Sequence, residues 1–298
     1  MNKSPIKSRL VTSDMLNRPE EENPKDPKSV VFLSVEGEIT EVNYFTHLNT
    51  CVAPNDVILH IEVLERSNGS KSAPKHVFEV LNEYARIRDE DLVNKSVLHQ
   101  VMGRYPVEAI EQLLAKDPDD TLSDEEAAIC NTLQVEVMDF QYNKFLKRMS
   151  RGENDIAAMI VDIDKKNQVK RKEVLETLRS DCATKGYGFY ITNPCFEFWL
   201  LLHLCDVATD YKDKLVNIAE NKLTGKRKSL KYVAKEVSKR ANHSKSISKD
   251  TFIEHYLQQI PSAISRAQCF ATTWPEVLDN IGTNLPDLFS KLGYSAEK

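Results

Sequence analysis

Two apolar runs in this chain stop abruptly at carboxylates. Val30-Val31-Phe32-Leu33-Ser34-Val35 ends at Glu36-Gly37-Glu38, with Thr40 and Glu41 just beyond, and Ile156-Ala157-Ala158-Met159-Ile160-Val161 ends at Asp162-Ile163-Asp164. Short β-branched runs without polar alternation read as strands buried on both faces of a parallel sheet. In such sheets a ligand sits outside the carboxyl ends of the strands. Two carboxylates about 4 Å apart cost roughly 4 kcal/mol at an effective dielectric near 20. Something positive therefore belongs between them, and a divalent metal is the simplest candidate. Asp162 and Asp164 point the same way on a strand, with Cα atoms roughly 6.6 Å apart, a pair of hard oxygen donors suited to Mg²⁺ or Mn²⁺. The blander readings are an acid at a helix N-terminus for Glu36, worth about 0.3–1 kcal/mol, and loop acids paired with Lys165 and Lys166 for the aspartates. Glu36 splayed far from the Asp162/Asp164 pair, or neutralised there by guanidinium groups, would end the case for that metal.

A third segment is Asn193-Pro194-Cys195-Phe196-Glu197-Phe198-Trp199-Leu200-Leu201-Leu202-His203. Asn193 suits a helix cap and Pro194 a first turn. The helix is apolar nearly all round and should be buried. Glu197 is the exception, and an unpaired buried carboxylate is costly enough to demand a partner. It is either a site residue or half of a structural pair with a buried Arg or Lys. His203 lies about 120° around the helix from Glu197 and reads more readily as a core histidine. From Lys222 to Lys245 nine Lys/Arg face one acid, Glu236. Lys226, Arg227, Lys228 and Lys231 are candidates to track a phosphate backbone, against the plain alternative of a solvated helix surface.

The elements that must position these groups follow a βαβ rhythm: a strand at 29–35, a helix at 39–49 with Val42, Phe45 and Leu48 on one face, a strand at 57–64, and a helix from Pro74 to about Arg88. From about 89 to 152 the pattern is helical only, with Ser123-Asp124-Glu125-Glu126 shaped as a capping box. A strand at 156–163, a charged helix over 165–182 and a strand at 188–192 resume the sheet. Beyond about 210 the chain reads as helices at 213–222, 229–241, 249–272 (broken at Pro261) and 281–293. The expected organisation is a polar arm over 1–27, an α/β domain over 28–205 with a helical insertion at about 89–152, and a helical region over 206–298. Among 298 residues, 41% are hydrophobic and the formal charge is −5, enough for a sizeable core and too mild for a global nucleic-acid field. Six cysteines without a CxxC pair argue for free thiols and against zinc. No run reaches the roughly 18 apolar residues of a membrane span. The expectation is a cytoplasmic protein with no membrane partner.

Three segments together resemble the RloB-like family. Glu36-Gly37 with Thr40, Glu41, Tyr44 and Phe45 is similar to its EGxxTExxYF opening, Asp162-Ile163-Asp164 to its central DxD, and residues 193–203 to its NPxFExWLLLH signature. The resemblance covers about 30–205. It implies a Toprim-like (Rossmann-like) mostly parallel α/β sheet, a fold shared with topoisomerases, bacterial primases and OLD-family nucleases. It also implies that Glu36 does acid/base or metal work and that Asp162 and Asp164 bind Mg²⁺. RloB-like proteins look like effectors of anti-phage, abortive-infection systems beside an ABC- or AAA-type ATPase, and this chain has no GxxxxGK[ST] loop of its own. The resulting expectation is a Mg²⁺- or Mn²⁺-dependent endonuclease cleaving tRNA, other RNA or DNA. Glu36, Asp162 and Asp164 would hold metal, Lys165 or Lys166 would steady the transition state, and Glu197 would complete the site. The OLD-type catalytic Lys has no obvious counterpart, and a homodimer is compatible. The rivals are a non-catalytic docking or sensing subunit of the ATPase complex and a nucleotidyl-transferring enzyme of primase type.

Overall fold

The computed structural model describes residues 29–52, 59–64, 73–90, 155–163, 168–224, 230–242 and 246–297, with short pieces at 105–106, 109 and 121–129. Five strands form one sheet in the order β2-β1-β3-β4-β5: β1 (Ser29–Val35), β2 (Leu59–Val63), β3 (Ile156–Asp162), β4 (Gly188–Asn193) and β5 (Gly282–Thr283). The first four run parallel and β5 pairs antiparallel with β4. This is the mostly parallel α/β fold expected. Expected strand residues 57 and 58 lie outside the described residues, as does the 1–27 arm.

Parallel strands need long crossovers, and helices supply them. Helix α1 (Thr40–Val52) links β1 to β2, α2 (Pro74–Glu90) follows β2, and α3 (Gln168–Lys185) links β3 to β4. On one face Val31, Leu33, Val35, Ala158, Ile160 and Tyr190 join Tyr44, Phe45 and Leu48 of α1 in the main core. On the other face Phe32 and Met159 are buried with Val77 of α2 and Leu175 and Cys182 of α3. There the Ser34 hydroxyl donates to the Val77 carbonyl at 2.7 Å, and the Cys182 thiol donates to the Met159 sulfur at 3.5 Å. With a helix layer on each face, β1 and β3 are buried on both sides, as their unalternating sequences require.

Helix α4 (Phe196–Leu204) lies in the main core, with Trp199 fully buried and Glu197 half-buried. Asn193 does not cap it. Asn193 ends β4, the Asn193–Pro194 peptide is cis, Cys195 takes the cap position without a side-chain bond, and the Asn193 amide donates to the Val277 carbonyl at 2.8 Å. At its far end Arg266 donates to the Leu202 and His203 carbonyls at 2.7 and 2.9 Å, satisfying orphan acceptors of the last turn. The later segments α6 (Leu215–Glu220), α7 (Tyr232–Ala241), α8 (Lys249–His255), α9 (Ile260–Ala267) and α11 (Leu285–Lys291) fall within the expected helical spans, and α5 (Val207–Asp210) and α10 (Trp274–Asp279) are helices that the sequence reading did not mark. One expectation failed here: a helix from 281 gives way to β5 at 282–283. Packing decides this, because the Asn284 side chain bonds both the Ile191 N–H and the Phe189 carbonyl and draws the segment onto β4.

The chain divides into two compact units, 28–85 with 152–298, and 1–27 with 86–151. The sheet and the C-terminal helices share the first. In the second, the capping box is present: the Glu126 N–H bonds the Ser123 hydroxyl at 3.2 Å and the Ser123 N–H bonds the Glu126 carboxylate at 2.7 Å.

Candidate active site at the strand ends

The sheet order places its switch point between β1 and β3, where the chain leaves β1 in one direction and fills the other side from β3. Ligands of open α/β sheets bind outside the strand ends at such a point. Glu36 ends β1 and Asp162 ends β3, directly flanking it. The Asp162 N–H donates to a Glu36 oxygen at 3.0 Å, so the two ends are tied together.

Two further acids join them. Glu41, in the first turn of α1, is only 6% exposed. Its carboxyl group is folded back against Gly37, where an added Cβ would lie 1.7 Å from one carboxylate oxygen. Burial, then repulsion from Glu197, pushes its pKa up from 4.5 to about 8; Glu36 adds to this, and backbone N–H groups of Gly37 and Glu41 oppose it. Asp162 is also raised well above the carboxylate range, by burial first and then by Glu41, Glu36 and Glu197, with Arg171 opposing. Glu197, half-buried in the first turn of α4, thus reaches the same edge. The Cys195 thiol is raised by burial and by Glu197 and Asp162, and Lys231 acts on it in the other direction. Lys231, at the start of α7, thus acts on Cys195. Asn221 connects the two, donating to the Cys195 sulfur at 3.2 Å and accepting from the Val233 N–H of α7 at 3.0 Å.

The positive charge facing these acids is a guanidinium that sequence reasoning missed. Arg171 of α3 bonds both Glu36 oxygens, at 2.8 and 2.7 Å, and the Asp162 carbonyl. Its sequence signal was only one basic residue among several in a charged helix. Glu41 was likewise noted without a role, although the Glu-Gly-x-x-x-Glu spacing was visible. As placed, Glu36 is neutralised by a guanidinium, the arrangement set out above as ending the case for a metal held by Glu36 with the aspartates. Asp164, Lys165, Lys166, Lys226, Arg227 and Lys228 lie outside the described residues.

His203 belongs to the core. It is 1% exposed, accepts from the Tyr44 hydroxyl at 3.1 Å and donates through Nδ1 to the Trp199 carbonyl at 2.9 Å. Burial pulls its pKa down to about 3, so it is neutral. The Trp199 indole donates to the same Tyr44 oxygen at 3.4 Å. Tyr44 from the first motif and Trp199 and His203 from the third thus form one buried network that locks α1 against α4, and with it Glu41 against Glu197.

Residues 31–292 match the RloB-like protein family. The chain belongs to that family. No curated protein and no solved structure matches it. At the strand ends of this RloB-like protein Glu36 is paired with Arg171, while burial and mutual repulsion raise Glu41 and Asp162. Among the described residues no group of three or more His, Cys, Asp or Glu side chains is arranged to hold a metal ion. Among those same residues no helix is long and apolar enough to cross a membrane.

Proposed function

We propose that this RloB-like protein is a metal-dependent endonuclease that cleaves phosphodiesters in tRNA, other RNA or DNA. In this reading it is the toxic effector of an anti-phage system and works with a partner ATPase. The observation that carries the nuclease reading is the convergence of Glu36, Glu41, Asp162 and Glu197 at the switch point against one arginine. Glu41, Asp162 and Glu197, with Asp164 from the DxD motif, are the residues that would hold Mg²⁺ or Mn²⁺. Such a cation would polarise a phosphoryl oxygen and acidify bound water. Lys231, whose charge acts on Cys195, belongs to the basic 222–245 segment that would meet a phosphate backbone. The defence role and the ATPase rest on the family alone.

The Arg171–Glu36 pair favours a second reading, a non-catalytic docking or sensing subunit in which the acids are already balanced. Cleavage of tRNA and plasmid DNA with Mg²⁺ or Mn²⁺, with and without the partner ATPase, separates the two. Asp162→Asn and Glu197→Gln, both checked for native folding, should lose at least 100-fold in rate. Undiminished cleavage by these variants refutes the site. A wild-type chain that neither cleaves nor binds Mn²⁺ in any combination leaves the docking reading.

A further inference from the structure

Two acids at the strand ends are held in different ways. Glu36 is gripped by the Arg171 guanidinium at 2.7 Å. Glu197, in the first turn of α4, acts on Glu41 and Asp162 by like-charge repulsion. A half-buried carboxylate under such repulsion turns toward water unless a donor holds it. The thiol two residues earlier is that donor. Cys195 is 4% exposed and takes the cap position of α4, and its side chain is hydrogen-bonded to Glu197. Burial first, then the charges of Glu197 and Asp162, keep the thiol protonated, so the sulfur is the donor in that bond. A thiol gives one hydrogen and still accepts on sulfur. Here it does accept: the Asn221 amide donates to it at 3.2 Å, and the Asn221 side-chain oxygen takes the Val233 N–H at 3.0 Å. Asn221 is buried and closes α6 in the left-handed conformation, with φ 41°. Its two bonds tie the end of α6 and the first turn of α7 to the cap position of α4.

We propose that Cys195 is a positioning residue for Glu197: its S–H holds the Glu197 carboxylate at the strand-end edge, and the Asn221 amide, anchored on α7, fixes the sulfur. What Glu197 does once held there rests on the nuclease reading above. A thiol suits this task because it is neutral. The arginine beside Glu36 cancels a charge, whereas an S–H sets the direction of a carboxylate and leaves its charge in place. The same hydrogen-bonded chain continues into the basic segment. The Tyr232 N–H donates to the Lys222 carbonyl at 2.9 Å, and the Thr224 N–H to the Leu230 carbonyl at 3.0 Å. Residues 222–224 and 230–232 are thus paired as a ribbon that springs from Asn221. Through Asn221 and Cys195, the base of that ribbon and the Glu197 carboxylate are set in a fixed relation.

Infrared absorption of the full chain in the S–H stretching region tests the bond directly. The band lost in Cys195→Ser belongs to Cys195, and Cys182→Ser and Cys205→Ser assign two comparators. Those thiols donate to neutral acceptors, the Met159 sulfur and the Leu201 carbonyl. A carboxylate is the stronger acceptor, so the Cys195 band should lie lowest in frequency and move up in Glu197→Gln. A band no lower than that of Cys205, or one unmoved by Glu197→Gln, overturns the proposal. Cleavage of tRNA and plasmid DNA tests the role. Cys195→Ala and Asn221→Gly should lower kcat about tenfold or more with KM near wild type, because a misplaced acid slows the chemical step. Cys195→Ser, which keeps a donor and an acceptor, should restore most of the rate lost in Cys195→Ala. Lower thermal midpoints with kcat unchanged mark a packing role and overturn the proposal. Should Cys195→Ala fail to fold, Asn221→Gly and the infrared band still decide. A wild-type chain that cleaves neither nucleic acid fails the nuclease reading alone, and the Cys195 band then decides whether the thiol holds Glu197.

Discussion

Replacing Glu41 by Gln should stabilise the metal-free protein, and the gain should depend on pH in one direction. Glu41 is buried beside Glu197 and Glu36, and its pKa rises from 4.5 to about 8 in the folded state. A carboxyl group raised in this way binds its proton more tightly when folded. Its contribution is fully present below about 4.5 and is lost as pH climbs through about 8. At ~1.4 kcal/mol for each pH unit between those values, the wild type forfeits up to about 5 kcal/mol across that window. Gln keeps the shape and one acceptor but carries no charge, at a loss of about 1 kcal/mol in weaker bonding to the backbone N–H groups. The net expectation is a variant more stable by about 2–4 kcal/mol at pH 8.5 and no more stable at pH 4.5. Urea unfolding in EDTA, at half-unit steps from pH 4.5 to 9, measures this directly. A difference that stays flat with pH, or a Gln variant less stable at pH 8.5, would mean that Glu41 is not held under repulsion, and the charge argument for this edge would fail.

Two other outcomes follow from the same coordinates. Gly37→Ala places a methyl group within 1.7–2.3 Å of the three Glu41 carboxylate atoms and must expel that side chain; the urea midpoint should report a loss of about 1–3 kcal/mol, and Glu41→Gln should not relieve it. His203, neutral with a pKa of about 3 against an ordinary 6.5, contributes stability that is present above 6.5 and drains away as pH falls toward 3. His203→Phe should cost about 2–4 kcal/mol at pH 7 by stranding the Tyr44 hydroxyl and the Trp199 carbonyl, yet flatten the acid limb of a stability–pH curve. An unchanged acid limb would contradict the buried, neutral assignment.

How much of this could be read beforehand depends on the range of the interaction involved. The strands at 29–35 and 156–162 were legible because burial on both faces leaves an unbroken apolar run. The carboxylates that end them were legible because a polar residue stops such a run. The capping box at Ser123 and Glu126 was legible because both of its hydrogen bonds span three residues. Asn193 misled because the same Asn-Pro pair serves a helix cap or a strand end, and only the Val277 carbonyl, 84 residues away in sequence, selects the second. The sequence alone determined the parallel α/β sheet and that Glu36 and Asp162 stand at its carboxyl edge, since unbroken apolar runs and periodicity are local properties of the chain. Only the tertiary structure decided what those acids meet. Arg171 reaches Glu36 across 135 residues, and Glu41 is pressed toward Glu197 because Tyr44, Trp199 and His203 share one buried network. Partners so distant along the chain leave no periodic trace, so charge balance at the site is fixed by packing.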